Sequence, residues 1–182
     1  MAGKPNNVMI DIETMGLTPG NCIVSIGAVI FDPRYNIVTK ETFYTELDWM
    51  EQTEYGFIAD ESTMAWWDEQ GEKAKEALCG LDDLETELKR LTKWLPQDCK
   101  VWGNGPGFDM VMLEHCYRHF KMKVPWKFWN VYDCRTVKFM YESARGGWDK
   151  KMGGTKHNAL DDAIFQAQYI NKMWKSLLGG EK

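Results

Sequence analysis

Two carboxylates, Asp11 and Glu13, alternate with Ile10 and Ile12 in the run Val8-Met9-Ile10-Asp11-Ile12-Glu13-Thr14. In a strand, residues two apart face the same side, so both acids emerge on one face. An apolar strand rarely carries two acids together unless something positive sits beside them, because taking ionised groups out of water is costly. A divalent metal site is therefore the first chemistry to consider, and two later stretches could complete it. Asp109, in Trp102-Gly103-Asn104-Gly105-Pro106-Gly107-Phe108-Asp109, stands where a strand ends and a helix begins. The helix N-terminus could lower its pKa, although the residue also reads as one that only lines that first turn. The other stretch is Lys156-His157-Asn158-Ala159-Leu160-Asp161-Asp162-Ala163. On an ideal helix His157 and Asp162 stand about 140° apart, so they meet at one site more easily if His157 lies in the preceding loop. Gly153 and Gly154 suit such a loop. A histidine there also reads as a cap or a solvated residue, and spacing alone does not choose between Asp161 and Asp162.

The elements that must position these residues are legible in outline. Residues 8–13, 22–31 and 37–47 read as strands, joined by the turns Thr18-Pro19-Gly20-Asn21 and Asp32-Pro33-Arg34-Tyr35-Asn36. Three strands with short turns imply an antiparallel meander. Ser62 can cap a short helix holding Trp66 and Trp67, and a helix over 81–95 would align Leu81, Leu84, Leu88, Leu91 and Leu95 on one stripe. A short strand at 100–104 is broken by Gly103, Gly105, Pro106 and Gly107, and helices follow at about 108–120 and 133–141. Residues 143–156 hold four glycines without periodicity and read as a mobile loop. The last helix, 158–178, would turn Leu160, Ala163, Ile164, Ala167, Ile170 and Trp174 to the core. The expectation is one α/β domain over 1–182, core 8–178, built on a central mixed sheet with a three-strand antiparallel meander and flanking helices.

Bulk composition narrows the class. A chain of 182 residues can bury roughly 70% of its unfolded surface. Its 22 basic against 27 acidic side chains, net −5, argue against gripping long duplex by bulk positive charge. They do not exclude a nuclease, since metal-binding acids add negative charge that their ions offset locally. Nine tryptophans permit stacking surfaces as well as core packing. Five scattered cysteines without a CxxC pair suggest reduced thiols in a cytoplasmic compartment rather than a zinc site. No signal-peptide core and no apolar run of membrane-spanning length is present, so no membrane association is expected.

Taken in order, Asp11-Ile12-Glu13-Thr14, Asn104 through Phe108-Asp109, and His157 through Asp162-Ala163 resemble the three motifs of the DEDDh family. These are 3′-5′ exonucleases with a ribonuclease-H-like fold, and the resemblance covers roughly residues 8–175. DxE alone is weak, as is HxxxxD; all three in order are specific. The resemblance implies that Asp11 bridges two metals, Glu13 binds the first and Asp109 holds the second, largely through water. It implies His157 as general base and Asp162, not Asp161, as the last acid. Trp66-Trp67 and Asp133-Cys134-Arg135-Thr136 are most similar to the compact members of phage and bacterial origin, including the mycobacterial exoribonuclease-like group. The family includes homodimers, which makes a second copy of the chain a candidate partner.

Phosphodiester hydrolysis needs a nucleophilic water and a stabilised leaving oxygen, and two divalent ions about 4 Å apart serve both. All-oxygen ligands favour Mg2+ or Mn2+, and a histidine of pKa about 6.5 can take the water's proton near neutral pH. The flanking glycines suggest that His157 closes over the site when substrate binds. Substrate contacts are expected from Thr14, Met15, Gly16 and Leu17, with core packing the alternative for Met15 and Leu17. Trp66 and Trp67 cannot share a face, so one packs in the core and the other, preferably Trp66, offers a stacking platform. Lys150, Lys151 and Lys156 could reach phosphate, as could Arg135, which reads first as an ion pair with Asp133 and second as a substrate contact. Asn104 reads first as organising the turn before Asp109 and second as a substrate contact. The expected reaction is release of nucleoside 5′-monophosphates from the 3′ ends of RNA or single-stranded DNA. Rival readings are a phosphoesterase acting on short oligonucleotides or small nucleotides, a non-catalytic nucleic-acid-binding module, and a metal site at His115 and His119 beside Glu114.

Overall fold

A computed structural model describes residues 4–147 and 157–178. The meander forms as β1 (Asn7–Thr14), β2 (Ile23–Asp32) and β3 (Ile37–Glu46), paired antiparallel with Ile12 opposite Ile26 and Ala28 opposite Phe43. Four helices follow: α1 (Trp49–Glu54), α2 (Glu61–Asp68), α3 (Glu72–Lys75) and α4 (Leu84–Trp94). The chain then runs through β4 (Lys100–Gly103), α5 (Asp109–His119), β5 (Val131–Asp133), α6 (Cys134–Arg145) and α7 (Ala159–Leu178). β4 adds to β1 in parallel and β5 to β4, giving the order β3-β2-β1-β4-β5. The result is the expected mixed α/β sheet with helices on both faces, a ribonuclease-H-like architecture.

Strand alternation sorts the side chains of β1. Val8, Ile10 and Ile12 enter the larger core with Leu88, Leu91, Leu113 and Tyr117 of α4 and α5. Met9 points the other way, into a second core with Phe31, Trp102 and the α7 residues Ala163, Ala167 and Ile170. Asp11 and Glu13 continue the Met9 row, so they face α7. Gly27 of β2 stands directly opposite Asp11, and a Cβ there would lie 2.2 Å from the backbone carbon of Ala159. The absence of a side chain is what allows the first turn of α7 to rest against the sheet beside the acids.

Several boundaries differ from expectation. α2 starts at Glu61 rather than after Ser62, because the Asp60 N–H donates to the Met15 carbonyl at 2.7 Å and fixes the entry two residues earlier. α4 starts at Leu84: Asp82 is held to β3 through Thr45, and the Asp83 carboxylate caps the Thr86 N–H. Leu81 is consequently 85% exposed and stands off the stripe of Leu84, Leu88, Leu91 and Leu95. β5 escaped the sequence because three residues show no alternation; its pairing with β4 is a tertiary event. α6 continues to Arg145, so the start of the expected loop is helical. The rest of that loop, including Lys150, Lys151, Gly153, Gly154 and Lys156, lies outside the described residues. On α7 the buried row is Ala159, Ala163, Gln166, Ala167, Ile170 and Met173, with Leu160, Ile164 and Trp174 half-buried on its flanks. Alanines bring the helix axis close to the sheet and push the longer side chains outward. The five cysteines are free. No helix among the described residues is long and apolar enough to cross a membrane.

Candidate active site

The acids converge where β1 ends and α7 begins. Oxygens of Asp11, Glu13 and Asp162 lie within 4.8 Å of one another, forming a group able to hold a divalent cation. Asp162 reaches the group, while the N–H of Asp161 is engaged by the Asn158 side chain at the helix start. Asp109, buried at the first position of α5, lies beside this group rather than within it. A Cβ at Gly103 would come within 2.9 Å of Asp109 Oδ2, so the glycine ending β4 makes room for that carboxylate.

Burial dominates the electrostatics of these acids. Burial pushes Asp11 well above the ordinary carboxylate range, with the charges of Asp109 and Glu13 adding to it. Burial and then the charges of Asp162 and Asp109 raise Glu13 to about 8. Asp109 rises to about 7, burial outweighing the backbone N–H groups of Asp109 and Ile12 and the nearby charge of Arg135. The expected lowering by the helix terminus is present in direction but loses to desolvation. Asp162 rises to about 6, mainly through burial. Four acids raised chiefly by burial, with the charges of Asp109 and Asp162 further opposing ionisation of Asp11 and Glu13, all offer hard oxygen donors and fit a divalent cation well. The cation would supply the charge that returns them to carboxylates. The rival HxxxH site does not form a cluster among the described residues; His115 and His119 instead pack their rings against Phe57.

His157 sits just before α7 with φ of 61°, a left-handed conformation uncommon for a residue with a side chain. Its backbone N–H donates to Asp162 Oδ2 at 3.2 Å, and its ring stands edge-on to Trp66 with centroids 4.9 Å apart. Trp66 lines a cavity of about 390 Å³ together with Ile12, Glu13, Thr14, Leu17, Ser62, Thr63 and Phe108. The two tryptophans divide as their spacing requires. Trp67 is buried and donates from Nε1 to the Thr14 carbonyl at 3.0 Å, whereas Trp66 is 39% exposed.

Of the other expected contact residues, Thr14 and Leu17 reach this cavity, although the Thr14 hydroxyl donates to the Gly16 carbonyl. Met15 does not reach it: the side chain is buried in the larger core, the packing alternative. Gly16 is needed for a close approach, but to Asn21, whose side chain would meet a Cβ at 2.2 Å. Asn104 is exposed and accepts from the Tyr169 hydroxyl at 3.5 Å. Arg135 packs its guanidinium over Gly105 beside Asp109. No ion pair joins Arg135 to Asp133 among the described residues; Asp133 instead caps α6, accepting from the Arg135 N–H and the Thr136 hydroxyl. Lys156 lies outside the described residues.

Sequence reasoning missed Gly27, Phe108, Ser62, Thr63 and Gln166. Gln166, four residues after Asp162 on the same face of α7, donates from Nε2 to Asp11 Oδ1 at 2.8 Å. Its helical spacing from Asp162 was the available signal. The glycine could have been noticed as an interruption in an otherwise β-branched and apolar strand.

This sheet, with an acid cluster able to hold a divalent cation at the end of β1, is the framework of a metal-binding exonuclease-like enzyme acting on nucleic acids, and the comparisons with known proteins agree. The description "3′-5′ exoribonuclease Rv2179c-like domain" matches residues 6–174, and the chain belongs to that family. It is also 25% identical over 159 residues to an exodeoxyribonuclease of Enterobacteria phage T4, covering 70% of this chain and 68% of the relative. Two solved structures share the fold. Cell-death related nuclease 4 (CRN-4) superposes with a TM-score of 0.67 at 9% identity, over 94% of this chain and 65% of that one. The nuclease domain of 3′hExo, a DEDDh family member bound to rAMP, gives 0.60 at 16% identity, over 97% and 95%.

Proposed function

We propose that the chain is a 3′-5′ exonuclease that removes nucleoside 5′-monophosphates from the 3′ end of RNA or single-stranded DNA. The observation that carries this reading is the meeting of Asp11, Glu13 and Asp162 beside a cavity of about 390 Å³ walled by Trp66, Leu17 and Phe108. A terminal base can lie among the apolar walls while its phosphate reaches the acids, and a flat aromatic face accepts any base. Asp11, Glu13, Asp109 and Asp162 would hold two Mg2+ or Mn2+ ions, which supply charge stabilisation for the attacking and leaving oxygens. His157 takes the proton of the attacking water. Its ring lies beside Trp66 and its backbone N–H on Asp162, next to where a substrate phosphate would meet the acids. Arg135, beside Asp109, contributes positive charge where phosphate would pass. Trp66-Trp67 and Asp133 to Thr136 support a reading of the chain as one of the compact phage and bacterial members, including the mycobacterial exoribonuclease-like group. The scattered free cysteines support a cytoplasmic setting.

The test is a time course with 5′-labelled RNA and DNA, single- and double-stranded, in Mg2+ and then Mn2+. Stepwise shortening from the 3′ end is expected, with nucleoside 5′-monophosphates as product and single strands preferred. Internal cuts, or dinucleotides cleaved as fast as long chains with no stepwise ladder, overturn it. Asp11→Ala should remain folded and lose cleavage by several orders of magnitude.

A further inference from the structure

We propose that Gln166 is the positioning residue of the acid centre, holding the Asp11 carboxylate in one rotation relative to Glu13 and Asp162. This rests on the reading of those acids as metal ligands. Gln166 is 6% exposed and lies one helical turn beyond Asp162, so both side chains reach β1 from the same stripe of α7. Its Nε2 donates to Asp11 Oδ1 at 2.8 Å, and it is the one side-chain donor on Asp11 among the described residues. Nothing opposite Asp11 can substitute, because the cross-strand neighbour is Gly27.

The other end of the amide makes the case. Gln166 Oε1 is buried and has no hydrogen-bond partner among the described residues. Buried polar atoms are normally satisfied, and each exception calls for an explanation. A methionine of similar length would fill this space against Ala163 and Ile170 without leaving an acceptor unmet. Packing alone therefore does not account for a glutamine here. Delivering an N–H donor to a carboxylate does: with the amide reversed, Oε1 would face Asp11 Oδ1, acceptor against acceptor. Donors behind a ligating carboxylate fix its orientation, and losing one typically weakens metal affinity 10–100-fold.

The test compares the wild-type chain with Gln166→Met, Ile170→Val and Asp11→Asn. Mn2+ affinity is measured by titration calorimetry, melting temperature in EDTA, and kcat and KM on single-stranded RNA. Gln166→Met should keep its metal-free melting temperature within a few degrees and bind Mn2+ about 10–100-fold more weakly. Its kcat should fall while KM for RNA stays unchanged. Ile170→Val should lower the melting temperature and leave Mn2+ affinity unchanged, which separates positioning from loosening of α7. Wild-type Mn2+ affinity in Gln166→Met, or an equal loss of affinity in Ile170→Val, overturns the proposal. If the wild type binds no Mn2+, or Asp11→Asn binds it equally well, the metal centre itself is wrong and the positioning role falls with it.

Discussion

His157 and Asp162 are joined by a hydrogen bond from the His157 backbone N–H to Asp162 Oδ2, at 3.2 Å. On a continuous helix these residues would diverge, and a left-handed turn at His157 brings them together instead. The main chain thus ties His157 to Asp162 while its ring stands against Trp66.

His157→Ala should consequently separate proton transfer from metal binding. Cleavage is expected to fall about 10²–10⁴-fold, the range for a lost general base. Mn2+ affinity should change little, because the backbone donor to Asp162 survives the substitution. Calorimetry showing a large loss of Mn2+ binding would identify the ring as a ligand instead.

The raised acids set the pH dependence of the metal-free protein. With folded pKa values of about 8 for Glu13, about 7 for Asp109 and about 6 for Asp162, the native state holds protons that the unfolded chain has released. Their contribution to stability is complete below the unfolded carboxylate range near about pH 4 and is lost as pH rises through these values. The melting temperature in EDTA should therefore fall between about pH 5 and pH 8. Mn2+ at a hundredfold its Kd should restore about 2.7 kcal/mol at the alkaline end. A flat profile in EDTA would contradict the burial of these acids beside one another.

The two adjacent tryptophans should respond differently to truncation. Trp67→Ala removes a buried indole and its bond to the Thr14 carbonyl, and should cost about 3–5 kcal/mol of stability in urea unfolding. Trp66→Ala should cost under about 1 kcal/mol in stability. It should instead weaken single-strand binding by about 1–3 kcal/mol, read as a rise in KM. Equal KM for Trp66→Ala and the wild type would remove Trp66 from the substrate path.

Gly27→Ala tests the seat of α7. The added Cβ would meet the backbone of Ala159 and Leu160 at 2.2 Å, and backbone cannot swing aside as a side chain can. A loss of about 1–3 kcal/mol in stability is expected. Because the displaced turn carries Asp162, Mn2+ affinity should fall too. Retention of both would show that α7 docks without this close approach.

Much of this molecule is local and was therefore readable. Alternation in β1 placed Asp11 and Glu13 on one face, the turns marked the meander, and motif order selected Asp109, His157 and Asp162. Boundaries were set by partners distant in the chain. The Met15 carbonyl fixed the start of α2, Asp82 and Asp83 moved that of α4 and left Leu81 in solvent, and β5 exists only because β4 is beside it.

The site divides in the same way. The sequence by itself determined which acids were available and that Trp66 and Trp67 must part company, since residue type and periodicity are properties of the local chain. Tertiary structure decided how Asp162, which the resemblance had singled out, reaches the other acids, that Met15 is core, that Asp109 is raised rather than lowered, and that Gln166 stands behind Asp11. The outcomes at Asp109, Asp162 and Gln166 depend on how closely α5 and α7 lie against the sheet. That closeness is permitted by Gly27 and Gly103, whose missing side chains show their effect only once the elements are packed.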